Sequence, residues 1–95
     1  MTTTTLWRLK VKPESQAEFE ALVSQLVRDV HANEPGHVFE YRRSKADALT
    51  YILFLSFFDE AAFKRYGEAP WHRGASPAIM ACLAEPPVAE HLDTF

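Results

Sequence analysis

The order of strand and helix signals predicts an α+β fold of the ferredoxin-like, split β-α-β-β-α-β kind, with one antiparallel sheet and helices on one of its faces. The main observation is the run LTYILFLSFF over residues 49–58, rich in aromatic and branched side chains and free of proline and glycine. It is far too short to cross a bilayer as a helix, so it reads as a central strand. A second observation is that both of its alternating rows are largely apolar: Leu49, Tyr51, Leu53, Leu55 and Phe57 on one side, Thr50, Ile52, Phe54, Ser56 and Phe58 on the other. The chain's own helices can cover one row. The other needs a partner subunit or a ligand, and parity alone leaves open which row that is.

The elements follow in order. LWRLKVK over 6–12 alternates, placing Trp7, Leu9 and Val11 toward the core and Arg8, Lys10 and Lys12 away from it. Pro13 or Ser15 closes that strand, and Glu14, Glu18 and Glu20 put negative charge near the first turns of a helix. Phe19, Leu22, Val23, Leu26, Val27 and Val30 recur at three- and four-residue spacing, one apolar stripe for the sheet. The helix runs to about Asn33 or Glu34, where Pro35 and Gly36 end it. A strand over 37–43 follows, with His37, Phe39, Tyr41 and Arg43 on one face, and residues 44–48 form a hairpin-length link into the central strand. Asp59 caps a helix over 60–66, which Gly67 loosens or ends. Residues 69–74 read as a break, residues 77–83 as a short helix with Pro77 in its first turn, and residues 88–92 as an edge strand behind Pro86 and Pro87. Right-handed crossovers put the first and third strands in the middle of the sheet.

Length and charge bound the function. A chain of 95 residues is one domain over 1–95, enough for one core between two layers. The net charge of −3, with no basic run, weighs against nucleic acid or an anionic membrane as the main partner. The lone Cys82 excludes an internal disulfide and a cysteine metal cluster, and reads as an inert core thiol. There is no His-x-His or His-Glu-x-x-His spacing for a metal, and no phosphate-cradling glycine loop. No basic leader with a long apolar run opens the sequence, so a cytoplasmic location is expected.

VKPE at 11–14, NEPGHVFEY at 33–41, TYILFLSFFDEAAF at 50–63 and LAEPPV at 83–88 together resemble the antibiotic biosynthesis monooxygenase domain family over almost the whole chain. The resemblance implies a homodimer forming an α/β barrel, in which each sheet closes over the other's bare face and each subunit keeps a small cavity. Some such relatives oxidise quinols or polyphenols without metal or flavin, some degrade haem, and many have no assigned activity. Many have a histidine at the end of the second helix, where this chain has Tyr66, and another in the following segment, near Trp71 and His72. Either Trp71 or His72 then enters the pocket. The haem-degrading pattern is absent: the first strand has no asparagine, Tyr66 stands in place of a tryptophan, and no histidine falls between Arg73 and Val88. No cofactor is expected.

The candidate catalytic residues are His72, Tyr66 and His37, and the candidate substrate-binding residues are Trp71, Tyr41, Tyr51 and Phe54. A histidine titrates near neutrality and can move a phenolic proton, and a tyrosine can bind a hydroxyl or stack on an aromatic ring. Each has a plainer alternative: His72 as a helix cap or touching solvent, His37 held by a backbone carbonyl at a strand edge, the tyrosines as packing residues. His91 reads as structural and His31 as exposed. Oxygenation without metal requires the substrate to donate the electrons, leaving the protein to remove a proton and exclude water. The function expected is a cofactor-independent, monooxygenase-like homodimer acting on a small aromatic or quinol molecule. The alternative is a non-catalytic dimer that binds a small ligand or is purely structural.

Overall fold

The computed structural model describes residues 2–95. Strand β1 (Thr3–Lys10) leads through a 3₁₀ turn at Pro13–Ser15 into helix α1 (Gln16–Asn33). Strands β2 (Val38–Arg43) and β3 (Thr50–Phe57) form a hairpin, helices α2 (Glu60–Glu68) and α3 (Pro70–Ala81) follow, and strand β4 (Val88–Leu92) closes the sheet. The sheet is antiparallel in the order β2-β3-β1-β4, with β1 and β3 central as the crossover argument requires.

The register decides which row of β3 is covered. Trp7 pairs with Leu53 and Leu9 with Tyr51, so the odd-numbered apolar residues of β1 and β3 share one face, joined by Phe39 and Tyr41 of β2. Across from that face, α1 buries Phe19, Val23, Leu26 and Val30, a stripe at four- and three-residue spacing. These residues form one core with Leu53, Leu55, Phe57, Ala62, Tyr66 and Ile79. The even-numbered row is left outside: Phe54 lies between Leu6 and Glu40, Ile52 between Arg8 and Arg42, and Phe54 is 37% exposed.

Local chemistry sets the helix boundaries. α1 stops where Pro35 cannot continue it, and Gly36 turns the chain at φ 91°, a left-handed conformation that glycine adopts at little cost. The carboxylate of Asp59 accepts a hydrogen bond from the Ala62 amide at 2.6 Å and so caps α2. Arg65 on α2 donates two hydrogen bonds to Glu34 just past the end of α1, at 3.0 and 2.7 Å, and fixes the two helices relative to each other.

Helix α2 runs on through Gly67 to Glu68, past the expected end, and two further elements differ from the sequence expectation. Residues 69–74 are not a break: α3 is one helix from Pro70 to Ala81, separated from α2 by Ala69 alone. Pro70 fits the first turn of a helix, and Pro77 is exposed on the same outer side as Arg73, so the carbonyl it leaves unpaired can face water. β1 also begins earlier than expected, because Thr3, Thr4 and Thr5 pair with Phe57, Ser56 and Leu55. Among the described residues, no helix is long and apolar enough to cross a membrane.

Candidate functional site

A cavity of about 300 Å³ lies between the helix-covered face of the sheet and the helices. Trp7, Leu9, Tyr41, Leu53 and Leu55 form its floor. Leu26 of α1, Phe63, Tyr66 and Gly67 of α2, and His72, Ser76, Ile79 and Met80 of α3 form its roof. No lining side chain carries a fixed charge. Polarity comes from the hydroxyls of Tyr41, Tyr66 and Ser76, the Trp7 indole and the His72 imidazole, few polar groups on an apolar wall, as small-molecule sites usually are.

Tyr66 is held by aromatic packing. Its ring is 7% exposed and stacks on Phe57 at 5.2 Å between centroids, with Phe39 at 5.4 Å. Burial, and to a smaller degree the neighbouring Tyr41, push its hydroxyl well above the ordinary tyrosine value, and burial alone does the same to Tyr41. Both hydroxyls therefore stay protonated at neutral pH and can donate to an oxygen placed in the cavity.

The His72 ring lies 4.2 Å from that of Tyr66, tilted by 43°. Its Nδ1 is buried and has no hydrogen-bond partner, alone in this among the buried side-chain polar atoms of the described residues. Burial lowers the imidazole below its ordinary 6.5; hydrogen bonding to the Gly67 backbone opposes this, and Arg73 adds to the lowering. Its position in the first turn of α3 works the same way, since the positive end of the helix dipole disfavours an imidazolium. At neutral pH the site thus combines one neutral imidazole with two protonated phenols.

The other sequence candidates lie elsewhere. Trp71 packs its ring 6.1 Å from Tyr66 but does not line the cavity; one helical step separates it from His72, and α3 turns His72 inward. His37 sits where β2 begins, stacked on Phe57 at 5.1 Å, and its Nδ1 accepts a hydrogen bond from the Phe58 amide at 3.0 Å. The backbone holds it outside the cavity, through a donating amide and not the carbonyl expected. Tyr51 donates its hydroxyl proton to Glu20 and accepts from Gln16 at 3.0 Å, along a groove beside α1. Phe54 is on the open face of the sheet. His31 is exposed, and His91 bonds through Nδ1 to the Thr5 hydroxyl at 3.2 Å.

Trp7, Phe63, Ser76, Ile79 and Met80 line the cavity without being among the sequence candidates. Their signal was present in part: His72, Ser76, Ile79 and Met80 recur at helical spacing, which becomes visible once residues 70–81 are taken as one helix. Among the described residues, no three histidine, cysteine, aspartate or glutamate side chains converge as metal ligands.

The family model for antibiotic biosynthesis monooxygenases matches residues 4–78. The chain belongs to the antibiotic biosynthesis monooxygenase family. A Caulobacter crescentus CB15 protein named for the same family is 33% identical, with a TM-score of 0.91 over 99% of this chain and 90% of that one. SnoaB from Streptomyces nogalater, a cofactor-independent oxygenase, is 21% identical and shares the fold, with a TM-score of 0.79 over 98% and 92% of the two chains. Rv0793 from Mycobacterium tuberculosis has a TM-score of 0.88 at 14% identity, over 100% and 96%. No curated protein matches the chain. The antibiotic biosynthesis monooxygenase match ends inside α3, two residues past Ser76, so Tyr66 and His72 both fall within it.

Proposed function

We propose that this antibiotic biosynthesis monooxygenase-family protein is a homodimeric oxygenase that needs no cofactor and acts on a small, electron-rich aromatic of the quinol class. The observation that carries this is the neutral, unpartnered imidazole of His72 beside the protonated Tyr66 in an apolar cavity. His72 takes a phenolic proton from the substrate, and Tyr66 or Tyr41 donates a hydrogen bond to a substrate oxygen. The resulting anion is the reductant. All electrons come from the substrate: an activated ring CH₂ and dioxygen become a carbonyl and water, with one oxygen atom in each. The apolar walls keep bulk water from the reduced oxygen.

The dimer reading rests on the open sheet face, where Leu6, Ile52, Phe54, Val88 and Leu92 present apolar surface interleaved with Arg8, Glu40, Arg42 and Glu90. A second copy is the cover that suits such a face.

One observation favours a non-catalytic ligand-binding module instead: no carboxylate orients the His72 ring, and its Nδ1 has no partner, whereas most catalytic histidines are oriented by a third group. Labelled dioxygen separates the two. Protein freed of metal and flavin by chelation and dialysis, given 1,8-dihydroxy-9(10H)-anthracenone, should place one labelled atom in the product faster than buffer alone. Binding without incorporation above the enzyme-free rate selects the binding module.

A further inference from the structure

The α2–α3 seam contains an opening whose width is set by a missing side chain, and we propose that Gly67 determines how long an aromatic ligand the cavity accepts. This rests on the reading of the cavity as the ligand site and adds a specificity-determining position to it.

Phe63 and Gly67 are one turn apart on α2, and Ser76 and Met80 are one turn apart on α3; all four line the cavity. Leu26, Leu53, Leu55 and Ile79 seal its depth, being 3–6% exposed, whereas Phe63 is 37% and Met80 48% exposed. The cavity therefore meets solvent at this seam. Two large apolar side chains flank the gap and two small residues leave it open. Since Phe63 points to the cavity, a side chain at Gly67, one turn later on the same face, would project into the same space. A Cβ there meets nothing within 4 Å, and Gly67 does not have a positive φ, so neither crowding nor backbone strain explains the glycine. Glycine within a helix costs stability relative to alanine, which leaves the open gap as its use.

A ligand longer than the cavity would emerge between Phe63 and Met80 and cover apolar surface that otherwise faces water. With no fixed charge among the lining residues, the part of the ligand inside the cavity is uncharged. The ligand class is an elongated, fused-ring aromatic, uncharged where it is buried, whose reacting end lies at His72 and Tyr66.

The test compares two neutral probes, 1-naphthol, with two fused rings, and Nile red, which is longer, by fluorescence titration of the full chain. In the wild type both bind. Gly67→Leu lowers the Nile red affinity relative to that of 1-naphthol by roughly tenfold or more, the scale of a few extra methylenes in an apolar pocket. Gly74→Leu is the control, also on a helix with open space at its Cβ but outside the cavity lining, and leaves the ratio at the wild-type value. An unchanged ratio in Gly67→Leu, with both probes still bound, overturns the role of Gly67 and spares the cavity. Failure of either probe to displace the other from wild-type protein overturns the cavity as the shared site, and the inference with it.

Discussion

Replacing His72 by leucine should make the protein more stable and less active. Its buried Nδ1 has no partner, and an unsatisfied polar group of this kind costs about 1–3 kcal/mol. Leucine has comparable bulk, no polar atom to bury, and an adjoining cavity of about 300 Å³ in which to settle. Against the gain stands the lost contact with the Tyr66 ring, worth roughly 0.5–1 kcal/mol. The net expectation is about 1 kcal/mol of stabilisation, or ~4–8 °C in Tm for a domain of this length. Oxygen incorporation should fall by about 10²-fold with loss of the base. Thermal melts need a fixed protein concentration, because dimerisation would couple to Tm.

The pH dependence has a definite sign. The folded His72 pKa is lowered below 6.5. Above 6.5 the ring is neutral both folded and unfolded; below it the unfolded chain binds a proton that the folded site resists. Wild-type stability from this residue is therefore intact above 6.5 and lost as pH falls toward the folded pKa. His72→Leu removes this loss, so the Tm gap between variant and wild type should widen from pH 7 to pH 5. Wild-type turnover should rise with pH through a midpoint below 6.5, with the enzyme-free rate subtracted at each point. A variant that melts lower than wild type at pH 7, or keeps its oxygen incorporation, would refute the assignment of an unpartnered base.

Other parts of the structure predict as follows. Sedimentation at micromolar concentration should give about twice the 10.8 kDa chain mass, and Phe54→Glu, placed between Leu6 and Glu40 on the open face, should shift the protein toward monomer; a stable wild-type monomer at that concentration contradicts the covered face. Asp59→Ala removes the α2 cap and should cost about 1 kcal/mol in a denaturant titration, and an unchanged midpoint would mean that Tyr66 is positioned by packing alone.

The sequence carried the fold further than the site. The ends of β4 and α1, the central position of β3 and the Asp59 cap all follow from local signals: paired prolines before Val88, Pro35 with Gly36, a ten-residue apolar run, and an acid before a helix. Parity could not decide which face of β3 is open, because both rows are apolar and the answer lies in a long-range register, Leu9 opposite Tyr51. α3 was obscured because Gly74 and Pro77 are local breakers, whereas their tolerance depends on which side of the finished helix faces solvent. The same break conceals three of the eight roof residues, Ser76, Ile79 and Met80, which share a face with His72 only if the helix is continuous. His37 and Tyr51 were misleading for a related reason: both are polar aromatics beside apolar neighbours, but their partners, the Phe58 amide and Glu20, lie 21 and 31 residues away in sequence.

The directions of the pKa shifts narrow the ligand independently of the family. Desolvation keeps His72 neutral and Tyr41 and Tyr66 protonated, so at neutral pH the cavity offers one unpartnered imidazole nitrogen and two phenolic donors. A hydrocarbon would leave all of these groups unpaired, at a cost for each buried group that apolar contact must exceed. A carboxylate or phosphate could accept from both phenols but would meet no fixed positive charge among the lining residues. A neutral molecule with a hydroxyl toward His72 and an oxygen toward a tyrosine satisfies the site in its resting state. Under the proposed function, His72 would take the hydroxyl proton, and the imidazolium beside the new phenolate would supply the counter-charge that the lining residues lack. That charge pair would exist only while the reduced substrate is bound, which would tie the base's protonation to the step in which the substrate becomes able to give electrons to dioxygen.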